Sequence, residues 1–374
     1  MKGIRPAWVE VYLENCIHNF MEVKKRIKEE TKVCTVVKAD GYKLGAVAVS
    51  KAYIDRGTDM LAVAVLDEGI EIREEIKDFP ILILGYTPED SFVMALENNL
   101  ILTIYTEEHA AELNKVAKKI GKKAKIHIKL ETGMNRLGFL PTEDSLNKVK
   151  NIYKMENIEI EGIYSHLARA DEVDKTWAYK QKERFDNFIE KLGKENINIP
   201  IKHIANSAAI IDLPDFQYDM VRPGIMLTGQ YPSDEVSREN VKLKLSFNLK
   251  AKIANVKEID PGEGVSYGHK FVADDITKVA TLPLGYADGL PRLLSNRLEV
   301  SYKGIKCKNI GRICMDQCMI NVTGIEDVKI GDEVILYGDG SRNSTTPDEV
   351  ASILGTINYE ILTMLDRRLP RVYK

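Results

Sequence analysis

With 374 residues, a net charge of −3 and 29% charged residues of mixed sign, the chain is long enough for two domains and shows no charge excess pointing to nucleic acid or an acidic partner. No run of eighteen apolar residues occurs, which excludes a membrane-spanning helix. The start, Met-Lys-Gly-Ile-Arg-Pro-Ala-Trp, lacks the apolar core of a signal peptide, and five cysteines without a Cys-x-x-Cys pair argue for reduced thiols, so a cytoplasmic location is expected.

The first two thirds alternate short apolar runs with amphipathic stretches. Strands are expected at Val33–Lys38, Leu61–Val65, Ile81–Gly85, Ile101–Tyr105, Lys125–Leu130, Ile158–Ser165, Ile201–Ala205 and Met220–Arg222. Helical patterns lie between them, among them Gly45–Asp55, Glu107–Ile120 and Asp174–Leu192. Eight such units in about 200 residues predict an α/β fold, a TIM-like (β/α)8 barrel, which places chemistry on the loops after its strands. Those loops carry Lys38 and Tyr42, Arg136, His166, Asn206-Ser207 and Arg222-Pro223-Gly224.

The texture changes at the turn-rich stretch Tyr231-Pro232-Ser233-Asp234-Glu235. Beyond it Leu245–Val256, Val279–Leu284, Val300–Tyr302 and the segment from Asp327 to Gly338 read as turns and strands. A late helix is predicted from Thr346, which can cap it with Glu349 completing a capping box, to Gly355. The expected organisation is therefore a barrel over 1–240 and a mainly β C-terminal domain over 241–374.

Lys38 closes an apolar strand and is followed by Ala39-Asp40-Gly41-Tyr42. Burial and neighbouring cations lower an amine's pKa and make it available as a base or Schiff-base partner. Arg222 offers a fixed cation, Gly224 and Ile225 offer backbone amides in a turn, and Ser207 offers a hydroxyl at a helix start. Each of these residues alone also fits a structural role: a solvated lysine, a strand-end histidine at His166, a plain helix cap at Asn206. Together on one barrel face they suit a phosphate-bearing aldehyde cofactor.

The residues also match a family. The chain resembles alanine racemase, a pyridoxal-phosphate enzyme of fold type III, along essentially its full length. The resemblance rests on Val-Val-Lys38-Ala-Asp-Gly-Tyr42, Glu131-Thr-Gly-Met-Asn-Arg136-Leu-Gly-Phe, Ser165-His166, His203-Ile-Ala-Asn-Ser207-Ala-Ala and Val221-Arg222-Pro-Gly224-Ile225. It continues in Gly264-Val-Ser-Tyr267-Gly, Leu284-Gly-Tyr286-Ala-Asp-Gly, Gly311-Arg-Ile-Cys-Met315-Asp316-Gln and Thr356-Ile-Asn-Tyr359-Glu.

What the resemblance implies is specific. Lys38 would hold pyridoxal 5′-phosphate and serve as a base on one face of the substrate Cα. Tyr267 of the partner subunit would serve on the other face, so a homodimer is implied. A phenol with a reference pKa of about 10 needs a positive neighbourhood to act as a base, which His166 and Arg222 would extend to it. Arg222 would face the pyridine nitrogen and donate without giving up its proton. Tyr42, Ser207, Gly224, Ile225 and Tyr359 match phosphate-holding positions. Arg136 and the amide of Met315 match groups that hold the substrate carboxylate, with Asp316 beside them. Lys129 matches a lysine that is carbamylated in some relatives, and Tyr286, Arg292 and Arg312 match an entry corridor that favours small amino acids. No metal is implied.

Two departures stand out. The family usually continues Lys-Ala-Asn-Ala-Tyr-Gly-His-Gly, whereas Lys43-Leu44 replace the Gly-His pair here, and Thr228 stands where a tyrosine is common. They leave the preference among alanine, serine and larger amino acids open, with alanine favoured. A decarboxylase on the same barrel would pair the ring nitrogen with an acid and carry a reactive cysteine, against which Arg222, Tyr267 and Arg136 speak. A cofactor carrier without turnover would lack the β domain.

Overall fold

The computed structural model describes residues 5–374. A short strand, β1 (Ala7–Val11), precedes the eight expected ones: β2 (Lys32–Val36), β3 (Met60–Val63), β4 (Ile81–Ile83), β5 (Ile101–Ile104), β6 (Ala124–Lys129), β7 (Ile158–Tyr164), β8 (Ile201–His203) and β9 (Met220–Val221). The eight run parallel in the order β8-β7-β6-β5-β4-β3-β2-β9. β9 pairs with β2 through Val33↔Val221. On its other side the bonds from Asp219 N to Lys202 O (3.1 Å) and from Arg222 N to Ala205 O (2.9 Å) join it to the β8 segment. The result is a nearly closed barrel with helices in its crossovers.

Strands covered on both faces read as unbroken apolar runs, and every residue of β3, β4 and β5 is buried. The predicted helices form at Ala46–Ile54, Glu107–Lys119 and Thr176–Lys194. The second of these starts where the Thr106 side chain accepts from His109 N, and it ends in Lys118 and Lys119, which complement the helix dipole.

The described residues divide into two compact units: Cys16–Gly41 with Ala46–Leu243, and the described part of Met1–Asn15 with Tyr42–Gly45 and Lys244–Lys374. In this division the amino-terminal strand and Tyr42–Gly45 group with the second unit. β1 pairs antiparallel with β10 (Phe247–Lys252), from Ala7↔Ala251 to Val11↔Phe247, and parallel with Arg371–Tyr373. These strands lie in a six-stranded sheet of the second unit.

The alternating run Leu245–Val256 proves to be two strands. β10 belongs to the six-stranded sheet, and Asn255–Ile259 pairs with Thr277–Leu282 in a separate three-stranded one. A hairpin of Gly264–Val265 and Phe271–Val272 packs against that sheet around Val265, Val279 and Ile310. The helix Pro347–Leu354 carries the predicted capping box between Thr346 and Glu349 and stops at Gly355, with φ 73°.

Candidate active site at the barrel mouth

Lys38, Arg136, His166, Ser207 and Arg222 all follow the carboxyl ends of barrel strands, as expected. Directly after Lys38 the backbone turns left-handed: φ is 53° at Ala39, 58° at Asp40, 61° at Gly41, 53° at Tyr42 and 65° at Lys43. Such a conformation costs an L-residue about 1–2 kcal/mol, less for Asp. Only Gly41 escapes the cost, and a Cβ there would also lie 2.9 Å from Val49 Cγ2.

Side-chain bonds hold the turn. Glu68 accepts from Ala39 N at 2.6 Å through one carboxylate oxygen and from Ala64 N at 2.8 Å through the other. Asp40 accepts from Ala46 N at 2.9 Å. The strained segment thus fixes where Lys38 leaves its strand. Lys38 is half-buried, and its amine has no hydrogen-bond or ion-pair partner among the described residues. Burial, and then the charge of Arg136, lower its pKa, with Glu68 opposing.

Arg222 is 4% exposed, and no carboxylate balances it. Its NH1 donates to His203 Nδ1 (2.7 Å), and its NH2 to Ser165 O (2.7 Å), Ile204 O (3.2 Å) and His166 Nδ1 (3.3 Å). Its guanidinium carbon stands 5.2 Å from the Tyr164 ring centroid. Burial brings its pKa down to about 10, which still leaves it charged near neutrality. Since a guanidinium only donates, His166 must present Nδ1 as an acceptor and carry its proton on Nε2. Burial first, then Arg222, Arg136, Lys129 and Lys38, hold His166 well below its ordinary pKa. The imidazole is neutral, with two guanidinium groups and two amines lowering its pKa.

The Glu131 carboxylate accepts from Gly133 N (2.5 Å), Met134 N (2.6 Å) and Arg136 N (3.1 Å). That nest shapes the loop and leaves the exposed Arg136 side chain without a partner among the described residues. Gln181 ties the same loop to the next one, donating to Thr132 Oγ1 (3.2 Å) and His166 O (3.0 Å). Lys129 is 4% exposed and donates to Leu130 O at 2.9 Å. Burial first, then Arg222, lower its pKa to about 7, so half of it is neutral at that pH.

Ser207 begins the helix Ser207–Asp212, capped by Asn206. Its hydroxyl accepts from Gly224 N at 2.9 Å, so the Gly224 amide expected to meet an anion is already engaged by the serine. The Ile225 amide has no backbone partner among the described residues. Thr228 donates to Ile225 O at 2.7 Å and closes its own turn, while Leu44 is buried. Of the residues that depart from the family pattern, Leu44 and Thr228 are buried and Lys43 is half-buried.

Tyr42, Tyr267, Met315 and Tyr359 belong to the other unit. Tyr42 is buried, which pushes its phenol pKa up. Tyr267 is 69% exposed, on a turn set by positive φ at Ser266 (63°), Gly268 (66°) and His269 (41°). Ser266 anchors that turn by donating to Arg312 O at 2.7 Å. Met315 is exposed on a loop fastened by Tyr286 N to Cys314 O and Ala287 N to Met315 O, both 3.0 Å. Its own amide has no backbone partner among the described residues. Asp316 pairs with Arg368 at 2.7 Å, Arg292 and Tyr286 are exposed, and Tyr359 lies in the helix Asn358–Thr363.

Sequence reasoning gave no role to Glu68, Gln181 or Tyr164, and none to His203 or Glu131 although both stand in quoted motifs. An acid in the first turn of a helix was the one available signal for Glu68.

An amine with a lowered pKa and a buried guanidinium without a carboxylate partner, both on loops after barrel strands, mark this face as the candidate active site of a barrel enzyme. Comparison narrows the class. The alanine racemase N-terminal domain model matches residues 11–232 and the C-terminal domain model matches residues 246–373. The alanine racemase of Clostridium perfringens strain SM101 is 46% identical over 371 residues, covering 99% of this chain and 96% of that protein. The solved alanine racemase of Clostridium difficile 630 superposes with a TM-score of 0.97 at 43% identity, covering 100% of this chain and 97% of the other. The structure of alanine racemase from that organism in complex with cycloserine gives a TM-score of 0.95 at 42% identity, covering 100% and 96%. The chain belongs to the alanine racemase family.

Proposed function

We propose that this protein interconverts L-alanine and D-alanine with pyridoxal 5′-phosphate, as a cytoplasmic homodimer whose active sites each draw on both subunits. The observation that carries the reading is the pairing of Lys38, an amine with a lowered pKa and no partner among the described residues, with Arg222, a buried guanidinium that no carboxylate neutralises. The donor set fits the cofactor. Arg222 keeps Nε without a hydrogen-bond partner among the described residues, so it can donate to a ring nitrogen and yield no proton. The Ser207, Tyr42 and Tyr359 hydroxyls and the Ile225 amide are groups of the kind a phosphate takes, the Gly224 amide would join them on giving up its bond to Ser207, and His166 lies beside Arg222. When bound, the cofactor supplies an electron-withdrawing ring that acidifies the substrate Cα–H.

The chain's own residues then divide the work. Arg136 and the Met315 amide hold the substrate carboxylate. Lys38 takes or returns the Cα proton on one face, and its lowered pKa favours the neutral form that accepts it. Tyr267 of the partner subunit serves the opposite face. His166, with Nδ1 engaged by Arg222, has Nε2–H to donate toward that phenol oxygen and so favours its ionised form. Tyr286, Arg292 and Arg312 line the approach. The neutral fraction of Lys129 makes it able to form a carbamate with carbon dioxide, adding a negative group to a strongly cationic surrounding. Alanine is the substrate favoured, since Leu44 and Thr228 are absorbed by packing. Cytoplasmic placement is supported by five free cysteines among the described residues.

The test is purified protein with L-alanine, L-serine and L-ornithine separately, following each D-isomer by chiral chromatography, with Tyr267→Phe as control. Rapid D-alanine formation that the control loses is the expected result. Faster conversion of serine or ornithine would replace alanine as the substrate, and no conversion of any of them would contradict the reading.

A further inference from the structure

Behind Arg222 a line of buried polar groups runs through the barrel interior. Arg222 NH1 lies 2.7 Å from His203 Nδ1, and His203 Nε2 lies 2.8 Å from His127 Nδ1. His127 Nε2 stands 3.5 Å from a Glu161 carboxylate oxygen. Both histidines are fully buried, and burial pushes each below its ordinary pKa; Arg222 adds to this at His203, while at His127 Glu161 opposes it and the net direction is still downward, toward the neutral form.

Proton positions along the line follow from one end. The guanidinium has no acceptor capacity, so His203 turns its Nδ1 lone pair to Arg222 and carries its proton on Nε2. That proton points at His127 Nδ1, which must be a lone pair, and the proton of His127 therefore sits on Nε2. The group facing it is Glu161: His127 Nε2 and that Glu161 oxygen are both buried, lie 3.5 Å apart, and neither has a hydrogen-bond partner among the described residues.

The fold makes specific room for this contact. The β6–β7 register shifts between Ile126 and His127, with Ile126 opposite Ile160 and His127 opposite Gly162, so Glu161 is the extra residue of a bulge. A Cβ on Gly162 would come within 2.5 Å of the His127 ring. Glu161 also accepts from Lys125 at 3.4 Å through its other oxygen, and its side chain is 20% exposed.

We propose that Glu161 is a positioning residue that, acting from the opposite end to Arg222, helps hold His127 and His203 as Nε2–H tautomers and so keeps an acceptor turned to Arg222. With the opposite pair of tautomers, His203 would point an N–H at the guanidinium and break the 2.7 Å contact, and a lone pair of His127 would face a carboxylate. The carboxylate excludes that arrangement from a distance of three residues. Its consequence for turnover rests on the pyridoxal-phosphate reading; the tautomers themselves do not.

Histidine-selective 15N labelling and long-range 15N–1H correlation at pH 7 test it on the full-length protein without added cofactor. His127 and His203, assigned by single substitution, are expected as pure Nε2–H forms. Glu161→Leu should bring an Nδ1–H population to His127, Glu161→Gln, which keeps a carbonyl acceptor, should restore the original signals, and Lys125→Ala should leave them unchanged. On the loaded enzyme, Glu161→Leu should lower kcat for alanine on the order of tenfold with KM little changed, and Glu161→Gln should recover it. An Nδ1–H form in the unsubstituted protein, a Glu161→Leu spectrum identical to it, or a shift on Lys125→Ala as large as that of Glu161→Leu would each overturn the inference.

Discussion

Lys38 and Tyr267, the two residues assigned to opposite faces of one substrate carbon, stand in opposite surroundings. Lys38 is half-buried at the start of a left-handed turn braced by Glu68 and Asp40, and burial first, then the charge of Arg136, lowers its pKa. Tyr267 projects from a turn of the β unit with 69% of its surface exposed. The amine's chemistry is set within one subunit. The phenol's chemistry, in the proposed dimer, comes only from the groups it meets on another chain. In the proposed dimer, a residue that is plain in its own fold completes a site because the groups that activate it belong to the partner.

The sharpest way to break this contrast is to remove each residue separately. Lys38→Ala should abolish alanine racemisation, a loss of at least about a thousandfold, together with the imine absorption of the loaded enzyme. Tyr267→Phe should cost about 10²–10⁴ in kcat while leaving cofactor uptake intact, measured by absorbance and chiral product analysis. If Tyr267→Phe instead weakened cofactor uptake as much as Lys38→Ala, the division of roles would be wrong.

Smaller effects sharpen the barrel side. Lys129 has a folded pKa of about 7 against an ordinary 10.5. Between those values the unfolded chain binds a proton that the folded one does not, so stability rises with pH, by up to about 1.4 kcal/mol per pH unit. Urea unfolding between pH 7 and 9 should show that slope, and Lys129→Met should flatten it. Glu68→Gln should destabilise by about 1–3 kcal/mol, because one of the amides at Ala39 and Ala64 then faces an NH2 group instead of an acceptor. A shift in the urea midpoint with unchanged slope is the expected signature, and an unchanged midpoint would mean the turn does not depend on that carboxylate.

Much of this was legible in the sequence, for physical reasons that also explain the rest. The barrel strands were readable because β3, β4 and β5, buried on both faces, are nearly unbroken apolar runs and β6 and β7 alternate apolar with polar residues, and the loop residues followed from where the strands end. The placement of β1 was not readable, since its partner β10 lies about 240 residues away and nothing local distinguishes it from a first barrel strand. The break at Ile253-Ala254 was hidden because the alternation carries on across it while the two strands join different sheets. Within the site, Lys38, Arg222 and Ser207 are named by type and position. Their supports are not: Glu68 reaches the turn from another helix, and the line from Glu161 to Arg222 depends on a one-residue bulge at His127. The left-handed course of Ala39–Lys43 was signalled by Gly41 alone.

One measurement bears most directly on the shared site. Purified Lys38→Ala and Tyr267→Phe proteins, each nearly inactive, are mixed in equal amounts under conditions that allow subunit exchange, and alanine racemisation is followed. Random reassortment with a two-fold axis restores about a quarter of the native sites, since each mixed dimer pairs one intact Lys38 with an intact Tyr267 of the partner subunit. Recovery toward that fraction of unsubstituted activity is the predicted result. Confirmed exchange with activity no higher than that of the two parents would contradict a catalytic site built from two chains.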